Sequence, residues 1–221
     1  MMAFEYLTQT IDLSPGITHL IIENKKLFRK TLLSLATDEG GDLFVVSEDF
    51  RPFDFKKKVF YFSDVLNISL SDKKISNKII SELESVTNEL YLESLNDIKL
   101  QLLDLAEKLS FYFDYDYSYT DNLETSSLLK LLEFRVRDDS SGSLESLVLC
   151  VRILQKYLGI RLVMVRNLSL YYTAEEISEL NSTFESIGFP LVNIECNAPM
   201  RDMSGKFVII DEDLCQVIDT L

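Results

Sequence analysis

The chain has 221 residues, 47% hydrophobic and 26% charged, with only 7 Gly and 4 Pro, a balance that excludes a mainly disordered or low-complexity protein. Its formal net charge of −14 excludes a polyanion ligand held by overall charge, because phosphate contacts need clustered Lys and Arg. No run of about 18 apolar residues occurs, so no membrane-spanning helix is expected.

The opening decapeptide MMAFEYLTQT lacks the basic stretch and long apolar core of a signal peptide. Three short strand-like runs follow one another, AFEYL, TIDL and THLIIE, with Ser14-Pro15-Gly16 as a turn before the third. Residues 24–36 read as a helix, with Leu27, Leu32 and Leu35 on one face and cations on the others. GGDLFVVSED is a turn and a strand, and KKKVFYFSD is a further β-prone run.

From Asp72 to about Phe113 no Gly or Pro appears. Apolar residues recur at Ile75, Ile79, Leu83, Val86 and Leu90, then at Leu95, Ile98, Leu102, Leu105 and Leu109. The steps are threes and fours except for the five between Leu90 and Leu95, a phase slip that predicts a bend or a change of packing partner. One helix of this length would span roughly 60 Å at about 1.5 Å per residue, so it is expected to project and to pack against something outside the body.

YFDYDYSYTDN interrupts this pattern. Asp121-x-x-Glu124 resembles a capping signal for a short helix, LETSSLLKLLEF. A turn at DDSSGS leads to a helix through LESLVLCVRILQKYLG, ended by Gly159. IRLVMVRN is a buried-type strand, Thr173 to Glu176 is a capping box opening another helix, and PLVNIEC and KFVII are closing strands. The predicted architecture is α/β. Residues 1–67 and 139–221 form a head with parallel strands in its C-terminal half, and residues 68–138 form a helical insertion.

A phosphate loop needs Gly-x-x-x-x-Gly-Lys-Ser/Thr, so that backbone N–H groups can close on phosphate without Cβ clashes. The strand–helix junction at 23–26 is Glu-Asn-Lys-Lys, and the only Gly-Lys pair, Gly205-Lys206, is followed by Phe207. One trace of a nucleotide-binding chain remains. FVIIDED ends an apolar strand in Asp211-Glu212, the pattern that holds Mg²⁺ in such enzymes. The alternative is that Asp211 caps a short terminal helix.

His19, the sole histidine, lies inside a strand-like run and reads as structural. With no Cys cluster and no second His, zinc sites and His-based triads have no support. Cys150, Cys196 and Cys215 form no CxxC pair and read as free thiols of a reducing compartment, so a cytoplasmic location is expected. Asp114, Asp116, Asp121 and Glu124 are candidate ligands for a hard cation, which takes several carboxylate oxygens from one loop. A solvated acidic loop is the competing reading.

The cations are clustered despite the negative total. Lys25, Lys26, Arg29 and Lys30 crowd the first helix, Lys56, Lys57 and Lys58 are consecutive, and Lys130, Arg135 and Arg137 lie near the end of the insertion. Each cluster can be a solvated face. Together, set against the excess of acid, they raise the prospect of segregated basic patches.

The succession of IENKKLFRKTLLSL, FDFKKKVFYFSDVLNISLSDKKISNKIISELES, the acidic loop, LLKLLEFRV, LQKYLGIRLVMVRNLSLYYTAEEISEL and FVIIDEDLCQVI resembles the accessory adaptation protein of type II-A CRISPR systems, the Csn-two family. The likeness spans nearly the full chain. It implies a head related to P-loop ATPases without a functional nucleotide site, and an extended helical leg. It implies four subunits in a ring whose basic inner wall holds double-stranded DNA, threaded from free ends. It further implies Ca²⁺ that orders the ring, no enzymatic activity, and a role in antiviral defence by spacer acquisition beside the integrase subunits and the effector nuclease. By this resemblance Lys56 to Lys58 are the first DNA candidates. The carboxylate spacing of FDYDYSYTDN departs from the family's. Two other classes of function compete: a nucleotide-binding enzyme with a divergent loop, motivated by Asp211-Glu212, and a helical scaffold that binds only proteins, motivated by the long apolar stripe.

Overall fold

The computed structural model describes residues 1–37, 39–48, 51–66, 73–112, 117–134, 142–197 and 204–219. The chain forms two compact units, one built from Met1–Ser69 and Asp138–Leu221, the other from Leu70–Arg137.

The first unit opens with β1 (Met2–Phe4) and β2 (Gly16–Ile22). The strand expected between them is reduced to a single bridge from Ile11 to Met2. β2 is buried at every position, as an apolar strand covered on both faces must be. It runs into α1 (Lys25–Ala36), whose buried residues Leu27, Thr31 and Leu35 recur at helical spacing. A 3-10 turn at Gly40–Asp42 leads to β3 (Phe44–Glu48) and β4 (Arg51–Pro52). The lysine run expected within a β-prone stretch is instead one helical turn, α2 (Phe55–Lys58), and only then does β5 (Val59–Tyr61) begin. The cause is local: the backbone N–H groups of Lys57 and Lys58 both bond to the Asp54 carbonyl, closing the turn.

The chain returns as α6 (Leu144–Ile153), which loosens into a π-turn at Leu154–Leu158 and stops at Gly159, φ 64°. A glycine pays no Cβ penalty in this left-handed conformation. β6 (Leu162–Arg166), α7 (Ala174–Ser186), β7 (Pro190–Glu195), β8 (Lys206–Ile210) and β9 (Gln216–Asp219) complete the unit. Among the described residues, no terminal helix follows Asp211. Its carboxylate accepts the N–H groups of Asp213 (3.0 Å) and Cys215 (2.7 Å), folding the chain into a turn that pairs β9 antiparallel with β8.

The main sheet has the order β5-β6-β7-β2-β8-β9 and is parallel except for β9, while β1, β3 and β4 form a small antiparallel sheet. Period-two alternation divides the main sheet into two apolar faces. Leu20, Ile22, Met164, Val192, Ile194 and Val208 share one core with Met2, Phe4, Leu27, Leu35 and Phe44. On the other face Ile17, Ile21, Val163 and Leu191 are buried, as are Leu147, Val151, Ile177 and Phe184 of α6 and α7. α7 packs on β2 and β7 and touches α6. The unit is a layered α/β structure.

The second unit holds α3 (Lys73–Leu90), α4 (Leu92–Ser110) and α5 (Thr125–Leu131). α3 packs against α5 and meets α4 end to end across Tyr91. The helix expected over residues 72–113 is interrupted for one residue at Tyr91, φ −129° and ψ 23°, inside the five-residue step where a bend was expected, with Tyr91 N–H still bonding the Thr87 carbonyl and Leu95 N–H the Tyr91 carbonyl. At 3.6 residues per turn that step rotates the apolar stripe by about 140° beyond a full turn, so one straight helix cannot keep both stripes on the same side. Among the described residues, no helix is long and apolar enough to cross a membrane.

Candidate nucleic-acid interface

The junction between β2 and α1 is two residues long, Glu23 and Asn24. Asn24 caps the helix: its Oδ1 accepts the N–H groups of Lys26 (3.1 Å) and Leu27 (3.0 Å). Those are donors that a phosphate loop would turn toward its ligand. The Asn24 Nδ2 donates to the Glu212 carbonyl at 2.9 Å, and Glu23 N–H bonds the Ile210 carbonyl. The junction is thus tied to the β8 end of the sheet by its own side chain and backbone.

The cations predicted on α1 stand opposite its buried stripe. Lys25, Lys26, Arg29 and Lys30 are all exposed. Lys30 is engaged on one side, donating to Tyr6 Oη at 2.9 Å and facing the Glu5 carboxylate at 3.4 Å. The Tyr6 hydroxyl, more than Glu5, holds its ammonium above the ordinary lysine range. A shallow groove of about 720 Å³ beside the helix is lined by Lys26, Arg29, Lys30 and Leu33, with Glu39 and Asp42 among its other residues.

The lysine run of α2 is divided by the helical turn. Lys58 turns inward, half-buried, and donates to the Gly159 carbonyl at 3.1 Å. Lys57 is exposed and pairs with Asp54 at 3.3 Å, a contact worth little in open solvent. Lys56 is exposed and makes no ion pair among the described residues. Lys25 and Lys26 follow the carboxyl end of β2, whereas α2 precedes the amino end of β5. Because these strands run in the same direction, the two basic groups lie at opposite ends of the sheet in one subunit. Lys130 is exposed on α5, and Arg135 and Arg137 lie outside the described residues.

Of the candidate metal ligands, Asp114 and Asp116 lie outside the described residues, while Asp121 and Glu124 are exposed. Glu124 is the N-cap of α5 and makes no side-chain cap bond, so Asp121 and Glu124 do not form the expected capping pair. Among the described residues, no group of three or more His, Cys, Asp and Glu is placed to hold a metal.

Sequence reasoning missed a buried polar chain on the α6–α7 side of the sheet. His19, Asn193 and Glu195 are 0%, 0% and 3% exposed. His19 Nδ1 lies 3.1 Å from Asn193 Nδ2, and His19 Nε2 lies 3.2 Å from the Ser204 carbonyl. A carbonyl only accepts, so Nε2 carries the hydrogen and Nδ1 accepts from the amide. Asn193 Nδ2 also donates to the Glu195 carboxylate, which takes the backbone N–H of Ser169 at 3.1 Å and its hydroxyl. Burial lowers the pKa of His19, against the raising effects of the Ser204 carbonyl and Glu195. The signal was present: Asn193 and Glu195 alternate within the apolar run LVNIEC, which puts two polar side chains on one face of a buried strand.

Residues 36–214 match the model of a family described as CRISPR-associated protein (Cas_Csn2). The chain belongs to that family. The Cas_Csn2 match covers Lys56 to Lys58, Lys130, Arg135, Arg137 and the acidic loop, but begins after Lys25 to Lys30. A solved structure titled as the crystal structure of Stu0660 of Streptococcus thermophilus aligns at 13% identity and a TM-score of 0.48, over 88% of this chain and 68% of that one. No curated protein sequence matches the chain.

Proposed function

We propose that this Cas_Csn2 protein binds double-stranded DNA without reading its sequence, as a homotetrameric ring that accepts DNA ends. In this reading it supports spacer acquisition alongside the integrase subunits and the effector nuclease, and is itself neither an enzyme nor a nucleotide binder. Its head is a P-loop-type fold that has lost its phosphate site, and its second unit is a leg used in assembly.

The observation that carries the reading, beside family membership, is the one-sided array of exposed Lys25, Lys26, Arg29 and Lys30 on α1 in a chain of net charge −14. Such segregation lets an acidic protein hold phosphate, because local potential and not total charge sets the contact. The separation of these residues from Lys56 and Lys57 is compatible with a ring, in which different subunits supply different parts of the wall. The self-capped, glycine-free junction at Asn24 supports the absence of nucleotide chemistry. Exposed Asp121 and Glu124, with Asp114 and Asp116, offer the hard oxygen ligands that Ca²⁺ prefers, and we assign Ca²⁺ a structural role there. The scaffold alternative is favoured by one feature, the exposed apolar stripe of α4 formed by Ile98, Leu102, Leu105 and Leu109, which the ring reading also uses.

Light scattering after size exclusion, with and without Ca²⁺, should give a tetramer stabilised by the cation. Gel shifts should then show strong preference for linear over covalently closed circular duplex. Equal binding to both, or a monomer under all conditions, overturns the ring. Heat on mixing with Mg-ATP, accompanied by phosphate release, would establish the enzyme reading instead.

A further inference from the structure

A second groove, of about 730 Å³, lies between α6 and α7. Both walls have the same construction. On α6 the lining residues Glu145, Val148, Leu149 and Arg152 fall at i, i+3, i+4 and i+7; on α7, Glu176, Glu179, Leu180 and Thr183 repeat that spacing. Such spacing places each set on one helix face. Leu180 is buried at 2%, while Leu149 remains 37% exposed, so part of the apolar lining has no cover from the described chain. Glu145, Glu176 and Glu179 are exposed.

α6 leads into β6 and α7 into β7, and these strands are parallel. The two helices therefore run in the same direction, each returning antiparallel to the strand that follows it. Glu145 and Glu176, first in each set, mark one end of the groove, and Arg152 and Thr183, last in each set, mark the other. The Tyr172 hydroxyl donates to the Gly142 carbonyl at 2.9 Å, bracing the loop that enters α6 and fixing the acidic end.

We propose that this groove docks a basic amphipathic helix of a partner protein. Its apolar stripe would lie along Val148 and Leu149, above the buried Leu180, and its Lys or Arg residues would face Glu145, Glu176 and Glu179. An amphipathic helix laid in a groove supplies anchors at this same spacing. The charge of the lining rejects the other macromolecule in view: three exposed carboxylates against one guanidinium repel a phosphate backbone. The groove is thus a protein site separate from the DNA surface, and it stands or falls independently of DNA binding.

The test uses the full chain and a fluorescent peptide of about 15 residues, with Leu at i, i+4, i+7 and i+11 and Lys at the flanking positions. Two controls have the same Leu pattern with Glu in place of Lys, and the same composition scrambled. The patterned Lys peptide should bind, and hydrogen exchange should slow across residues 144–152 and 174–183. Glu145→Lys with Glu179→Lys should weaken it by about tenfold or more, and Leu149→Arg should do so without charge reversal of the rim. Circular dichroism identifies any variant that fails to fold, and the Glu pair is exposed enough to be tolerated. Linear duplex should bind these variants as it binds the parent. Equal binding of the scrambled peptide, or full binding by the folded Glu145→Lys/Glu179→Lys protein, overturns the proposal.

Discussion

Asn24 does two jobs with one side chain, so its replacements should separate them. Asn24→Ala removes the cap of α1 and should cost about 1 kcal/mol in urea unfolding, the usual loss for such a cap. Asn24→Asp keeps the oxygen that caps α1 but sets its second carboxylate oxygen against the Glu212 carbonyl, so it should retain the helix cap while releasing the tie to residue 212. Gly205 is more sharply constrained, with φ 130° and a position where an added Cβ would meet the Ile17 carbonyl at 2.8 Å and the His19 ring at 3.0 Å. The carbonyl belongs to the central strand and cannot retreat, so Gly205→Ala should destabilise by about 1–3 kcal/mol or more. His19 gives a pH dependence. Its folded pKa is lowered, so as pH falls below about 6.5, the ordinary imidazole value, the unfolded chain takes up the proton first and stability declines. A charged Nδ1–H would also confront the Asn193 amide hydrogens. Denaturation midpoints of the parent should therefore drop between about pH 6.5 and 5 more steeply than those of His19→Gln; parallel curves would contradict this. The sequence showed His19 to be embedded in a strand, but its partners come from residues 193 and 204, distant in the chain, and pairing of that kind leaves no local trace.

At the scale of elements, the helices and central strands were legible where one physical signal dominated. The capping box of α7 forms as its residues require, with Thr173 and Glu176 each bonding the other's backbone. The strands of the sheet core are runs of β-branched and leucine residues buried on both faces. The misreadings lie where two short-range signals compete. In KKKVFY, β-branched and aromatic residues argue for a strand, yet Asp54 turns the lysines into a helix first. In DEDLC, Asp211 satisfies turn N–H groups where a helix cap was expected, since the same carboxylate chemistry serves either end. α4 carries the clearest unspent signal. Leu95 is buried, but Ile98, Leu102, Leu105 and Leu109 are 51%, 39%, 53% and 55% exposed. Their alternating steps of three and four repeat every 3.5 residues, as in a helix that pairs with another. Covering each side chain would contribute on the order of 1 kcal/mol. Leu102→Lys with Leu105→Lys should reduce the mass found by light scattering while leaving the helical signal intact, because neither residue is needed to bury the unit's own core.

For the molecule as a whole, charge sorting decides whether DNA binding is possible, and composition alone cannot show sorting. Net charge and residue order were plain in the sequence; which cations share a surface was not. The fold turns Lys58 inward, engages Lys30 with Tyr6 and Glu5, and leaves Lys25, Lys26, Arg29 and Lys56 outward. If these contact phosphate, affinity for linear duplex should fall linearly on log–log axes of salt, by about 0.9 per phosphate neutralised. Lys26→Glu with Arg29→Glu should flatten that slope and weaken binding uniformly across sequences, read by anisotropy from low to moderate salt. A steep slope retained in this double variant would move the DNA surface elsewhere.

The brevity of the connection at Glu23 and Asn24 sets how this protein can change. Glycines substituted into that connection would only fray the start of the following helix, for two residues cannot encircle an anion. Building a nucleotide cradle there would demand inserted chain as well as altered letters, a far rarer event than a point change. A phosphate-wrapping loop at this junction therefore lies beyond the reach of point substitution.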